Sequence, residues 1–366
     1  MQHSQRVPFS VLSRYIFREY WSIFCLTLFA FIGLYLIIDL FDRLSFFLRN
    51  GATAGAAFRY LAFKLPLIVT QMVPPAVLAG VLVSLGLLSR RNELSALRAS
   101  GISLTRIGRP LLVTAAVTSV LTLLWGETIV PLSMRRQQEV SLIEIRKQAP
   151  RTVLGDRATW YHGAEGFYHI DFIDRDRETL HGVVIYHVDK DFRLTHATEI
   201  QSAHWSGDAW HVTSAIQRRL TRDRDVEITP VNADSLLKQE RLEDFLEVFR
   251  EPEELSYTML SERIDAMARR GIDASPYVVD LHLKLAVPFM SFVLAALAIP
   301  IAARPRRHAS IALIVGTGIA LGFAYWLVLA FGVSLGRSGA IPPIVAAWAA
   351  NTICALAAAF LFLSVE

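Results

Sequence analysis

The stretch Ser89-Arg90-Arg91-Asn92-Glu93-Leu94-Ser95-Ala96-Leu97-Arg98-Ala99-Ser100-Gly101 decides how this chain is read. It is charged and helix-prone, yet it lies between two apolar runs. Leu65 to Ser89 upstream and Pro110 to Gly126 downstream carry no charged residue. A charged helix of about a dozen residues between two membrane spans exceeds a tight turn and falls short of a domain. It has the form of a handle that something outside the membrane grips.

Composition supports the membrane setting. The 366 residues are 53% hydrophobic and 19% charged, with a mean hydropathy of +0.39. Soluble domains average about 45–50% apolar and about 25% charged. The net charge is +4, but most Arg outside the central region flanks apolar runs, which is a topology signal rather than a nucleic-acid one. Cys25 and Cys354 both fall inside apolar runs, which leaves no disulfide framework or thiolate metal site. Arg6, Arg14 and Arg18 before the first run resemble a signal peptide. The run is too long for one and lacks a small-residue cleavage site, so an uncleaved anchor is expected.

A spanning helix needs about 20 mostly apolar residues. Six segments qualify: 21–38, 65–88, 110–129, 285–303, 309–335 and 342–363. With the N-terminus inside, the cytoplasmic flanks carry Arg6, Arg14, Arg18, Arg90, Arg91, Arg98, Arg106, Arg109, Arg304, Arg306 and Arg307. The opposite short flanks carry Arg43, Arg49, Arg59 and Arg337. Eleven against four puts both termini in the cytoplasm.

Between the third and fourth spans the pattern changes period. Residues 158–162, 166–172, 183–188 and 209–212 are aromatic and β-branched, separated by His162-Gly163, Asp189-Lys190-Asp191 and Ser206-Gly207-Asp208. Short strands at this spacing predict an antiparallel sandwich or jelly roll. The expected organisation is spans 1–3 within 1–135, with a cytoplasmic coupling helix at 89–106. A periplasmic β-jelly-roll-like domain follows at 136–255, an amphipathic linker helix at 256–275, and spans 4–6 at 276–366. The fold class is thus a polytopic α-helical membrane protein with an inserted all-β domain. In the linker, Leu260, Ile264 and Met267 keep helical spacing, Ser256 caps the start and Gly271 ends it, and Ser275-Pro276 opens the fourth span. Pro66, Pro74, Pro75, Pro288 and Pro300 predict kinks or local unwinding in the second and fourth spans.

Catalytic signatures are few. No Gly-Lys pair occurs, which excludes the usual phosphate loop, and no His-Glu-x-x-His is present. Gly332-Val333-Ser334-Leu335-Gly336 matches a nucleophile elbow, but it ends an apolar helix instead of linking strand to helix. Small residues easing helix packing explain it better. Seven histidines, at 162, 169, 181, 187, 196, 204 and 211, lie in the β region without ligand spacing, and no metal site is expected. Ionisable residues at the outer span edges stand out: Asp39, Asp42, Arg43, Arg49, Arg59, Lys64, Asp280, His282 and Lys284. They form either a headgroup-binding ring or a set of snorkelling flanks.

Several stretches together resemble the lipopolysaccharide-export permease family LptF/LptG (YjgP/YjgQ). They are Val11-Leu12-Ser13-Arg14-Tyr15-Ile16, Leu85 to Leu94 running on to Arg98-Ala99-Ser100-Gly101, Gly126-Glu127-Thr128-Ile129-Val130-Pro131, and Gly182-Val183-Val184-Ile185-Tyr186. Ile341-Pro342-Pro343-Ile344 favours the LptG branch. The likeness covers essentially the whole chain. It implies a non-catalytic half-transporter of an ABC system in the bacterial inner membrane. Such a subunit pairs as a heterodimer with an LptF-like permease, is driven by an LptB ATPase dimer that carries the ATP and Mg, and needs no cofactor of its own. It would pass lipopolysaccharide to LptC and a bridge of jelly rolls in outer-membrane biogenesis. The resemblance also implies ATPase coupling through Arg90, Arg91, Glu93, Leu94, Leu97, Arg98 and Gly101. Headgroup contact falls to Arg43, Arg49, Lys64 and Lys284, and acyl-chain contact to Phe31, Tyr35, Phe323, Tyr325, Trp326 and Phe331. The stretch after the first span departs from the family pattern, being thinner in positive charge and containing Asp39 and Asp42. The alternatives are a mechanotransmitting or signalling subunit that couples an ATPase to a periplasmic partner without moving lipid, and an intramembrane enzyme, for which no catalytic constellation is present.

Overall fold

A computed structural model describes residues 9–146, 159–163, 166–174, 178–188, 193–207, 209–220, 226–230, 237, 252, 255–269, 273–303 and 311–365. Three long helices lead in: α1 (Phe9–Arg49), α2 (Ala54–Arg90) and, after the short α3 (Glu93–Ala99), α4 (Leu104–Glu139). A π-helical turn, Val140–Ile145, prolongs α4. Seven described strands follow: β1 (Thr159–Gly163), β2 (Gly166–Asp174), β3 (Thr179–Val188), β4 (Leu194–Trp205), β5 (Trp210–Val212), β6 (Ala215–Leu220) and β7 (Val226–Pro230). The chain returns through α5 (Tyr257–Arg269) to α6 (Ser275–Ala302), α7 (Ile311–Arg337) and α8 (Pro343–Val365). Among the described residues six helices, all of those above but α3 and α5, are long and apolar enough to cross a membrane.

Local chemistry fixes the ends of these helices. Thr53 and Ser103 cap α2 and α4 by accepting from Ala56 N and Arg106 N. Ser256 accepts from Met259 N at the start of α5, while Gly271, expected to end it, lies outside the described residues. A proline sits in the first turn of α6, and Asp273 just before it accepts from Ser275 N at 2.9 Å. The Ser275 side-chain and backbone hydrogen bonds hold the Asp273 carboxyl below its ordinary range. The prolines inside α2 and α6 do not unwind them: both helices run without interruption, so the local unwinding expected there is absent. Two interhelix bonds land at these prolines, Trp125 Nε1–H on the Pro66 carbonyl (3.2 Å) and Ser119 Oγ–H on the Pro288 carbonyl (2.8 Å).

The bundle is built around α2 and α6. Their apolar windows are 67% and 56% buried, against 11% for both α1 and α7. The main core joins Ile16 and Tyr20, Val77 and Leu85, Leu94, Ile107, Leu294 and Ile314. Close packing depends on small residues. A Cβ on Gly332 would meet the Ala346 carbonyl oxygen at 2.6 Å, and one on Gly336 would collide with the Ala346 side chain. Gly332-Val333-Ser334-Leu335-Gly336 is therefore a seam between α7 and α8.

The inserted domain is a single antiparallel ladder in the order β1-β2-β3-β4-β6-β7, with β5 also paired to β4. Neighbours follow chain order, so the described strands form a meander. Tyr168, Ile170, Val183, Ile185, Ile200 and Trp210 fill its core. Burial in β3 changes parity between Leu180 and Val183. Gly182 at φ +63° sits at the change, where a Cβ would clash with Asp171. Four of the strands lie at or near the expected segments, whereas β4, β6 and β7 have no counterpart among them.

Candidate functional site

Charged side chains collect at the two ends of α1. At one end lies the inter-span segment. The expected helix over 89–106 is in fact the seven-residue α3, with turns on both sides. Asn92 enters it in the left-handed region (φ +59°), where Asn is tolerated. Gly101 leaves it at φ +82°, with Gly101 N–H on the Arg98 carbonyl (3.0 Å) and Ile102 N–H on the Leu97 carbonyl (3.1 Å). These two bonds make a Schellman stop, which satisfies carbonyls that a helix end would otherwise orphan.

One face of α3 is anchored. Leu94 is 2% exposed and belongs to the main core with Leu88, Leu104 and Ile107; Leu97 and Ile102 pack against that core. Burying such a leucine stabilises by about 1.5–3 kcal/mol. Leu94 therefore holds the segment in place from beneath and lies off its outer surface. The outer side carries Arg90 and Arg91, exposed, and Glu93 and Arg98, half-buried. Two bonds to α1 orient it: the Tyr15 hydroxyl donates to Glu93 Oε2 (2.8 Å), and Arg91 pairs with Glu19 (3.4 Å). Tyr15 and Glu19 are one helical turn apart, so they present on one face of α1. Sequence reading missed both; their i, i+4 spacing beside an acid-and-base segment was the available signal.

At the other end of α1 the charges face inward. Lys64 Nζ lies 2.5 Å from Asp39 Oδ1, with Lys64 only 7% exposed. Arg43 reaches the same oxygen (3.3 Å) and lays its guanidinium over the Tyr60 ring, 5.1 Å from the centroid. Lys64 also lies 5.7 Å from the Tyr35 ring centroid. Arg59 bonds Glu144 across from α2 to the π-helical turn. Arg49 is exposed at the end of α1. The expected ring of cations thus separates into a buried internal pair, a partly exposed Arg43 and an exposed Arg49.

The expected apolar residues also divide. Phe31 and Tyr35 are half-buried on α1. Phe323, Trp326 and Phe331 stand exposed on α7, at 59%, 59% and 68%. Tyr325 is buried instead, its hydroxyl donating to Asn351 Oδ1 (2.9 Å), while Asn351 Nδ2 donates to the Ala286 carbonyl (2.9 Å). That network ties α7, α8 and α6 together, so Tyr325 is removed from the acyl-contact set. Lys284 lies apart from the α1 cluster, in a cavity between α2, α4 and α6 that also holds the Asp280–Arg337 pair.

Among the described residues no three His, Cys, Asp or Glu side chains gather as a metal set would. The arrangement about α1 is made of ion pairs and a tyrosine–carboxylate bond, whereas hydroxyl–imidazole contacts such as Thr198–His187 lie in the β domain. It can transmit force: α1 is one continuous helix touched by α3 at one end and by a charge cluster at the other.

Comparison with known proteins points to one family. The sequence profile of the family described as "Lipopolysaccharide export system permease LptF/LptG" matches residues 14–364. The chain is 26% identical over 345 residues to the lipopolysaccharide export system permease protein LptG of Escherichia coli strain K12, covering 93% of this chain and 94% of the relative. It is 24% identical over 323 residues to the LptG of Haemophilus influenzae, covering 87% and 88%.

Proposed function

The chain belongs to the lipopolysaccharide export permease family LptF/LptG, and on that premise we propose that it is the membrane subunit that lifts lipopolysaccharide out of the inner membrane's outer leaflet. It would do so as an ABC half-transporter. An LptF-like subunit would complete the cavity, an LptB dimer would supply ATP hydrolysis, and LptC would receive the lipid through its own periplasmic jelly roll. Both termini would be cytoplasmic and the β domain periplasmic, an orientation that the arginine asymmetry supports.

The observation that supports this reading is the continuity of α1, 41 residues long. At 1.5 Å per residue it extends about 60 Å, roughly twice the hydrocarbon thickness. A push on α3 acts on the inner end of α1 through Tyr15–Glu93 and Arg91–Glu19. A rigid helix carries that displacement to Arg43 and Arg49, which would meet the lipid phosphates. The nearly uncovered faces of α1 and α7 supply the rest of the site. Phe323, Trp326 and Phe331 on α7 would line the acyl-chain side of the cavity or its seam with the second subunit. An ATPase with two states that differ in affinity for α3 would shift this equilibrium, and nothing else is required of it thermodynamically.

The test is purification of the chain from its native membrane followed by mass spectrometry of partners and lipid. Recovery of lipopolysaccharide, a second permease and an ATPase is expected. Recovery of an ATPase and a periplasmic partner without lipopolysaccharide would favour the signalling reading. Recovery of neither lipid nor ATPase would overturn the transport assignment.

A further inference from the structure

The cavity between α2, α4 and α6, about 470 Å³, is not used by the mechanism above. None of its lining residues comes from α1, and the Asp39–Lys64 pair is not among them. Its wall is amphipathic. Leu123, Leu283 and Val287 supply an apolar side, and Lys284, Arg337, Asp280 and Glu127 a charged one. We propose that this cavity is a second lipid site, and that it takes a zwitterionic, amine-bearing glycerophospholipid rather than the polyanionic cargo.

Charge balance argues for that class. The wall has two cations and two carboxylates. A polyphosphorylated head would gain from Lys284 and Arg337 but meet repulsion from Asp280 and Glu127, and like charges in a low-dielectric site cost enough to exclude a ligand. A phosphoethanolamine head has one group for each sign. The carboxylates are held in place before any ligand arrives: Arg337 Nη2 donates to Asp280 Oδ1 (2.6 Å), and Tyr257 N–H donates to Glu127 Oε2 (2.6 Å). Such fixed polar groups beside apolar walls are the usual makeup of a specific pocket.

Depth argues for a lipid rather than a soluble amine phosphate. Lys284 lies about 13 Å along α6 from Ser275 at 1.5 Å per residue, within the outer part of a span. Trp125 sits on the neighbouring stretch of α4, its indole N–H on the Pro66 carbonyl and its ring partly exposed, as a tryptophan at the headgroup level does. The cavity thus joins a charged floor to the level where chains begin.

The inference rests on the proposed orientation, which makes this end the outer leaflet, and its test separates the two. The full chain, purified in detergent, is titrated with phosphatidylethanolamine, with phosphatidylglycerol and with soluble glycerophosphoethanolamine. Bound lipid is counted by native mass spectrometry, and retained lipopolysaccharide is measured on the same samples. One phosphatidylethanolamine is expected to bind about tenfold more tightly than phosphatidylglycerol, and Lys284→Met is expected to weaken it about tenfold, the scale of one charge-assisted hydrogen bond. Leu123→Trp, which fills the apolar side, is expected to abolish it and to keep lipopolysaccharide. Equal binding of the two phospholipids would overturn the proposal, as would full displacement by the soluble head alone. So would joint loss of both lipids in Leu123→Trp, which would make the cavity part of the cargo site. Absence of lipopolysaccharide throughout, with the phospholipid preference intact, would overturn the transport assignment and leave this site standing.

Discussion

The two ends of α1 carry similar residues under opposite conditions. At the α3 end, Glu93 accepts from Tyr15 and Arg91 pairs with Glu19 at 3.4 Å; the Arg91 side chain is 51% exposed and that of Glu19 25%. At the other end, Lys64 and Asp39 meet at 2.5 Å with side-chain exposures of 9% and 11%. Exposed pairs of the first kind contribute about 0–1 kcal/mol, because water and salt screen them. Buried pairs of the second kind are costly to break, because removing one partner strands a charge in low dielectric. The comparison separates the functions. The exposed end can exchange its partners for those of another protein at little cost. The buried end fixes α1 against α2 and leaves Arg43 partly exposed and Arg49 exposed.

The largest effect on this contrast comes from Lys64→Met. It leaves Asp39 without its closest cation, and Arg43 at 3.3 Å compensates only in part. A loss of about 3–5 kcal/mol is expected, read as a drop in unfolding midpoint in detergent. The double variant Asp39→Asn, Lys64→Met is expected to recover most of that loss, since a buried pair replaced as a unit is often near neutral. A Lys64→Met chain as stable as the parent would show that this end contributes no more to the fold than the other.

Next comes Leu94→Ala, which tests whether α3 is held by packing or by its charges. Leu94 is 2% exposed in a core shared with Leu88 and Ile107. Truncating a buried leucine costs about 2–5 kcal/mol. Because only seven residues of helix stand on this anchor, the loss is expected to be local. Hydrogen exchange at Ser95–Gly101 should rise while α2 and α4 stay protected. Uniform loss of protection would mean that the anchor belongs to the bundle as a whole.

The two ends are not equally legible in the sequence. Six spans, the inserted β domain and the charged segment follow from apolar run lengths and a change of period. Leu94 reads with its charged neighbours as part of the coupling segment because nothing local records the core of Leu88, Leu104 and Ile107 that covers it. Lys64 reads as a lipid ligand because its partner, Asp39, lies 25 residues away in another helix. Tyr325 groups with its aromatic neighbours because nothing local records the presence of Asn351 on α8. Among the strands, β4 (Leu194–Trp205) is rich in Thr, His, Glu, Gln and Ser, and β6 contains Gln217, Arg218 and Arg219. Their apolar residues are too few to reveal strands whose stability comes from pairing on both sides.

The smallest effect on the fold is expected at Glu93. Its carboxylate is half-buried and bonded to one tyrosine hydroxyl, so Glu93→Lys loses about 0.5–1.5 kcal/mol at most through that bond. It also loses an acid at a helix start, a further fraction of a kcal/mol. The unfolding midpoint should therefore move little and the chain should still insert. If the α3 surface is where an ATPase grips, the same change reverses the sign of the one acidic side chain in a segment that also presents Arg90, Arg91 and Arg98. Assembly with the ATPase, or lipid-stimulated hydrolysis in the assembled complex, should then be lost. Hydrolysis at the parent rate in Glu93→Lys would refute the coupling role. A large stability loss would show instead that the exposed end of α1 holds the fold together as strongly as the buried one does.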